Sequence, residues 1–325
     1  MHRPSLKKPV RPADLRRPSE HQMDPGRHPR TIILSDLHLG RPGGAEEAAR
    51  LLPLLDECTR LILNGDSAEL HHARYRASAE LELGRLRELC RARAVRLDLI
   101  AGNHDPFVSE VRSMRLLDGA VYLTHGDALH PAIAPWSPHA EVMRAAFERA
   151  LADGAASGAA PGEDALFAAA REAAIAEWQS LGDGAHVSTI ANMALRPHRA
   201  LAALAYWRGY PSLVRNWATR FAPAAGTVVV GHSHRPFVRT VGGLRIVNTG
   251  AYGFPGTPLA VVLESNEVLV HRVEERRGRF SLGERPIARW IAEPRGPQPP
   301  ARAAANAETM KPAASASAPR SIDVA

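Results

Sequence analysis

Cysteine is almost absent from this chain: its 325 residues include two, Cys58 and Cys90. Neither shows the paired spacing of a zinc site or the density of a secreted disulfide framework, so both are expected as reduced core thiols. Long apolar runs are missing as well. A bilayer span needs about 20 consecutive apolar residues, and no stretch of the sequence approaches that. Nor does an apolar run follow the basic, proline-rich N-terminus, which argues against a cleavable secretory signal. The expected setting is therefore the cytoplasm. Aromatic residues make up 5% of the chain, so the places where they gather carry information.

Positive charge, by contrast, is in excess. The formal net charge is +7 and the pI about 10.0, which alone would point to a polyanionic partner such as nucleic acid. Its distribution points elsewhere. Residues 1–30 hold eight Lys/Arg against three Asp/Glu, and residues 276–325 hold nine against four, which leaves −3 for the segment between them. A basic nucleic-acid groove in the body is thus disfavoured. The basic ends suit solubility, or peripheral contact with an anionic surface such as the inner membrane.

With 45% hydrophobic and 23% charged residues, most of the chain should fold as a globular body. Residues 1–29 lack hydrophobic periodicity and read as a flexible basic arm, and residues 284–325, rich in Pro, Ala and Ser, as a disordered basic tail. Between them runs an α/β rhythm. Strands are expected at 31–35, 61–63, 95–100 and 121–124, helices at about 45–57 and 77–93, with polar residues following each strand, where open α/β sheets place their sites. Residues 130–225 interrupt the rhythm with amphipathic helices. Met143, Phe147, Ala150 and Leu151 form one stripe, Phe167, Ala170, Ala174, Trp178 and Leu181 a second, and Leu213, Val214, Trp217 and Phe221 a third. Strand patterns resume at 227–230, 237–241, 244–247, 259–263 and 268–273. The spacing predicts one α/β domain over residues 30–283 with a helical insertion at 130–225.

Five polar clusters leave the strands: Asp36-Leu37-His38, Gly65-Asp66, Gly102-Asn103-His104-Asp105, His125-Gly126-Asp127 and Gly231-His232-Ser233-His234. Each alone could be a turn, but five in succession point to a metal centre. Oxygen and imidazole donors without thiolate suit manganese, iron, zinc or nickel better than calcium or a structural zinc. Side chains two apart in an extended segment share one side, so Asp36 with His38, and His232 with His234, are expected on the same side of the chain. His71 and His72, followed by Arg74 and Arg76, read either as a contact to a substrate phosphate or as a solvated helix start. Trp290-Ile291 between Arg289 and Arg295 is a candidate membrane-surface contact.

These motifs resemble the calcineurin-like metallophosphoesterase superfamily from residue 31 to about 275. The resemblance implies a two-sheet α/β sandwich flanked by helices, with a dinuclear centre of two divalent metal ions, manganese first among those named. By position, Asp36, His38 and His234 would hold one ion and Asn103, His125 and His232 the other, with Asp66 bridging. Asn103 and His104 would contact the substrate phosphate. His104 would be the catalytic acid at the leaving oxygen, and Asp105 would orient it. Two ions roughly 3.5–4 Å apart clamp a phosphate and acidify a water.

Within the superfamily, Ser35-Asp36-Leu37-His38-Leu39-Gly40, His125-Gly126-Asp127 and the insertion are similar to the UDP-2,3-diacylglucosamine pyrophosphohydrolases. That similarity implies a lipid-linked, phosphorylated substrate beneath an apolar helical cap. The insertion does hold 9 of the 17 aromatics in 96 residues. Its stripes could equally be helix-to-body packing. Two positions depart from that subgroup: Ser67-Ala68-Glu69-Leu70 follows Asp66, and His104 stands where arginine is expected. A phosphatase, a phosphodiesterase or nuclease, and a non-catalytic metal-binding scaffold are the alternatives.

Overall fold

The computed structural model describes residues 29–154, 160–180, 197–253 and 257–296. The expected flexible arm lies outside the described residues except for Pro29, as does most of the expected tail.

Two mixed sheets form the body. In the first, β1 (Arg30–Leu34), β2 (Arg60–Asn64) and β3 (Arg96–Ile100) run parallel. On the other side of β1, β9 (Leu259–Glu264) pairs antiparallel, followed by the long β10 (Glu267–Arg276). That strand also pairs with β11 (Arg279–Leu282) and β12 (Ala288–Ile291). The second sheet has the order β4-β5-β6-β8-β7. Its centre, β5 (Val121–Thr124), β6 (Thr227–Val230) and β8 (Leu244–Asn248), is parallel, and the edges β4 (Ser113–Leu116) and β7 (Phe237–Val241) are antiparallel.

Side-chain alternation decides which layer each strand residue joins. Ile33 and Ile62 meet Val121, Leu123, Val229 and Val247 in an apolar layer shared by the two sheets. Ile32, Leu34, Leu61 and Leu63 point the other way, into a cluster with α1 (Leu52–Asp56) and α2 (Ala73–Ala92). Tyr122, Val228, Val230 and Ile246 likewise meet α3 (Ala140–Gly154), α4 (Glu163–Ser180) and α5 (Pro197–Phe221). The architecture is a two-sheet sandwich flanked by helices.

The three α-helices among the described residues of the 130–225 segment thus form the outer layer of the second sheet. Met143, Phe147, Phe167, Ala170, Ala174, Val214 and Trp217 are buried there, so most of each stripe is spent on packing. Leu181 lies outside the described residues. The helix expected over 45–57 is shorter than the pattern suggested: a 3-10 turn occupies Ala48–Leu51, and the α-helix begins with Pro53 in its first turn, a place that suits proline. Cys58 and Cys90 are both buried.

The body also extends past residue 283. β12 closes on β10, Ala292 N–H donates to Asn266, and Arg295 N–H donates to Ala224. Trp290, considered as a membrane contact, instead donates its indole N–H to Thr227 Oγ1 at 2.9 Å and stacks under Arg245. Proline and alanine content ended the domain too early because a four-residue edge strand carries little compositional signal. Among the described residues no helix is long and apolar enough to cross a membrane.

Candidate metal centre

All the parallel strands deliver their C-termini to one end of the sandwich, and the polar clusters leave from there. Asp36 and His38 follow β1, Asp66 follows β2, Asn103 follows β3, His125 follows β5, and His232 and His234 follow β6. The two sheets are tied at this end by Asn64, whose amide donates to Thr124 O at 2.9 Å and Val229 O at 3.3 Å.

The local backbone is unusual. Asp36, His38, Asp66, His232 and His234 all have left-handed φ, between 47° and 63°. Such conformations cost on the order of 1 kcal/mol each for a residue with a Cβ and persist only where the surroundings impose them. Here Asp36 N–H is held by Gly65 O at 3.1 Å and His38 N–H by Asp66 O at 3.0 Å. Asp36 and His38 therefore share a site through successive kinks and not through strand alternation. His232 and His234, expected on the same side of the chain, diverge: His232 turns to Asn103 and His234 to Asp36 and His38. Glycine is required beneath the cluster. A Cβ on Gly65 would overlap the His125 ring, and one on Gly231 would overlap Asp36.

The seven side chains expected as ligands converge in two groups. Asp36, His38, Asp66 and His234 can offer donor atoms within 4.8 Å of one another, as can Asp66, His125 and His232. Asp66 belongs to both. His234 Nε2 lies 3.3 Å from Asp36 Oδ1 and 3.3 Å from His38 Nε2. Asn103 Oδ1 lies 3.0 Å from His232 Nδ1, on the second group's side.

Several imidazoles are fixed from behind, as metal-binding histidines usually are. His125 Nδ1 donates to Asn64 O at 3.0 Å, His232 Nε2 donates to Ile133 O at 3.1 Å, and His38 Nδ1 meets Glu69 at 2.9 Å. The opposite nitrogens are left to point inward. Asp66 Oδ2 and His125 Nε2 are buried, 3.3 Å apart, and neither makes a hydrogen bond. Buried polar atoms without partners are costly, and a divalent cation between them would satisfy both. The residues present therefore fit a dinuclear centre by donor type, convergence and these two orphaned atoms.

His104 stands at the edge of this cluster. Its side chain keeps 20% exposure, its N–H donates to Asp66 Oδ1 at 2.9 Å, and its Nδ1 meets Glu69 Oε1 at 2.8 Å. Burial opposes a charged ring, but Glu69 and Asp66 prevail and raise it to about 9. A protonated imidazole beside the cluster can donate to a leaving oxygen.

Asp105 does something other than orient His104. Its carboxylate accepts the backbone N–H groups of Gly102 (2.8 Å), Asp66 (3.1 Å) and Ser67 (2.6 Å). It fastens the β2 and β3 loops together, and Glu69 takes the orienting role. Buried Glu69 contacts His38, His104 and Arg41, and lies 3.1 Å from His71 Nδ1, out of line for a hydrogen bond. Its carboxyl is held well below the usual range despite burial, because His104, His38 and His71 surround it.

No family model and no curated protein matches the chain. Solved structures with a related course include Vacuolar Protein Sorting 29 from Cryptosporidium parvum, 12% identical over 82% of this chain and 99% of that one, TM-score 0.40. The E. coli phosphoesterase Yfce is 14% identical over 81% of this chain and 100% of that one, TM-score 0.37. The phosphopantetheinyl hydrolase PptH from Mycobacterium tuberculosis is 16% identical over 71% and 91%, TM-score 0.30. Likenesses at these identities and scores say nothing about activity in this chain.

Beyond the expected set, Glu69, Arg41, His71 and Arg112 complete the surroundings. Glu69 had one signal, a lone acid between Ala68 and Leu70 three residues after Asp66. Arg112 had none. It is buried, pairs with Asp127 at 2.5 Å and donates to Gly102 O at 3.2 Å, linking the β3 loop to the β5 loop. His72 accepts from Arg74 N–H as the α2 N-cap, whereas His71 turns inward against His104.

Proposed function

We propose that this chain is a dinuclear-metal-dependent phosphoester hydrolase of the calcineurin-like type. The observation that carries the reading is Asp66, common to both donor groups, with an orphaned oxygen aimed at an orphaned His125 nitrogen. Asp36, His38 and His234 would hold one divalent ion and Asn103, His125 and His232 the other. Bound there, the two ions supply charge for the phosphate and an acidified water. His104 donates its proton to the leaving oxygen, and Glu69 keeps its ring turned to the site. Asn103 positions the phosphate beside His104. Manganese is the metal proposed first, since oxygen donors from Asp36, Asp66 and Asn103 accompany the imidazoles.

For the substrate, the pyrophosphate bond of a UDP-sugar lipid precursor is the specific form, in a cytoplasmic setting peripheral to the inner membrane. It rests on the motif resemblance and on Leu201 and Leu204, which are 65% and 55% exposed on α5, near Tyr206 and Trp207. Trp207 donates to Ser233 O, between the two histidines of that loop.

The test is a manganese-supplemented screen of phosphomonoesters, phosphodiesters, nucleotide sugars and lipid pyrophosphates. Turnover of at least one class, abolished in Asp66→Ala together with bound metal, is expected. Two full metal equivalents in Asp66→Ala would sink the ligand assignment. Absence of turnover by fully loaded protein would favour a metal-binding scaffold. Equal rates on acylated and deacylated UDP-sugar would reject the lipid substrate alone.

A further inference from the structure

His104 does not face bare solvent beyond the metal cluster. His71 packs edge-on against it with ring centroids 4.0 Å apart, and the two residues are also joined by the bond from His71 N–H to His104 O at 3.0 Å. Past His71 comes Trp178 of α4, its ring centroid 6.0 Å away and tilted by 35°. Phe107, three residues after His104, meets Trp178 edge-to-face at 5.8 Å yet remains 58% exposed. Two cations border this pair: the Arg76 guanidinium lies 5.8 Å from the Trp178 ring centroid, and that of Arg171 lies 5.7 Å from Phe107. Arg76 is steered by its own bond to Leu70 O at 3.0 Å. The indole N–H of Trp178 is buried with no acceptor among the described residues.

Simple packing does not require this arrangement. A phenyl ring left more than half in water contributes little to a core, and α4 already anchors itself through Phe167, Ala170 and Ala174. Aromatic rings set beside guanidinium groups do, however, make a platform for a flat conjugated ring that carries negative charge. The position matters too. The oxygen that His104 would protonate belongs to the leaving group, so whatever that group carries extends past His104 toward His71.

We propose that His71, Arg76, Phe107, Arg171 and Trp178 form a leaving-group subsite for a planar conjugated ring borne on a phosphate. The subsite rests on the hydrolase reading, because it takes its direction from His104. The phosphate end would lie toward the metal side and the ring on the exposed face of Phe107, with Arg76 meeting further negative charge and Arg171, paired with Glu110 at 2.9 Å, bordering the ring. It specifies a ring and its charge, and it would accept a free nucleotide or the terminal nucleotide of a strand.

Calorimetry on the manganese-loaded full chain tests this with UMP, AMP, ribose 5-phosphate and a dinucleotide with a terminal 5′-phosphate. UMP and AMP should bind at least about tenfold more tightly than ribose 5-phosphate, and that ratio should fall to about twofold or less in Phe107→Ala and in Arg76→Ala. Both substitutions are at exposed positions, and thermal melting checks that each variant is folded. A dinucleotide bound as tightly as UMP identifies a strand end as the source of the ring; a free nucleotide preferred over it identifies a small molecule. Ribose 5-phosphate binding as tightly as UMP to the wild type overturns the subsite alone, and so does a ratio unchanged in both variants. Failure of every phosphate to bind overturns the hydrolase reading and the subsite with it.

Discussion

At His125, burial and neighbouring charge compete. Burial opposes the imidazolium, but Asp66, Asp36 and Asp127 surround it and raise the ring to about 10. His38 and His232 lie at the other extreme, each lowered to about 4 chiefly by burial. Without metal His125 is thus protonated at neutral pH, whereas His38 and His232 are neutral, the form a metal ligand requires. If His125 is a ligand as proposed, a metal must displace its proton, so acid would oppose binding at every pH below about 10. Manganese affinity should rise by up to about tenfold per pH unit through the neutral range, with roughly one proton released. Calorimetry in two buffers of different ionisation enthalpy measures that release; equal heats would remove His125 from the ligand set.

Glu69 sets the charge on the neighbouring His104. Replacing it by glutamine removes the first of the two carboxylates that raise His104 to about 9. As the proposed acid, His104 must be protonated to act, so the alkaline fall of the rate profile should move to lower pH. The rate on a poor leaving group should drop by about 100-fold, the lower end of general-acid contributions. His104→Ala should lose a comparable factor while keeping both metals. A pH-rate profile with parallel metal analysis distinguishes these effects from loss of the centre. The sequence displayed His104 through its neighbours Asn103 and Asp105, but it hid the reason that His104 is charged. Glu69 acts through a fold-level contact with the β3 loop, and no periodicity encodes that.

Among the elements, the strands and the order of the polar loops that follow them were legible, because apolar runs ending in polar clusters mark strand C-termini. The kinks were not. Asp and His tolerate left-handed φ better than most residues, but whether they adopt it depends on partners such as Gly65 O, far away in sequence. The same holds for the link between the β3 and β5 loops. Arg112 enters it from the start of β4, an edge strand that the apolar pattern did not reveal. Arg112→Met should leave Asp127 buried without its cation and destabilise the protein by about 3–5 kcal/mol. The double variant Arg112→Met/Asp127→Leu should recover part of that loss. A double-mutant cycle by urea denaturation measures the coupling, and additive losses would mean the pair does not hold the loops.

For the whole molecule, the boundary of the body is the sharpest point of difference between composition and structure. β12 lies in a stretch whose composition reads as a tail, yet it links the layers. Its backbone pairs with β10 of the first sheet, and the Trp290 indole bonds to Thr227 of the second. Arg295 adds bonds to Ala224 O and Gly242 O. Chain truncation after residue 283 removes all of these and leaves Glu267–Val270 of β10 without their partner strand on that side, an exposed edge of the kind that favours aggregation. Loss of the partly buried tryptophan alone should cost about 3 kcal/mol. The melting temperature should therefore fall by roughly 6–12 °C. Truncation after residue 296 keeps β12 and should melt with the full chain. Calorimetric scans of the two truncations decide the matter. If both melt alike, β12 rests on a body that is complete without it, and the domain does end where the composition changes.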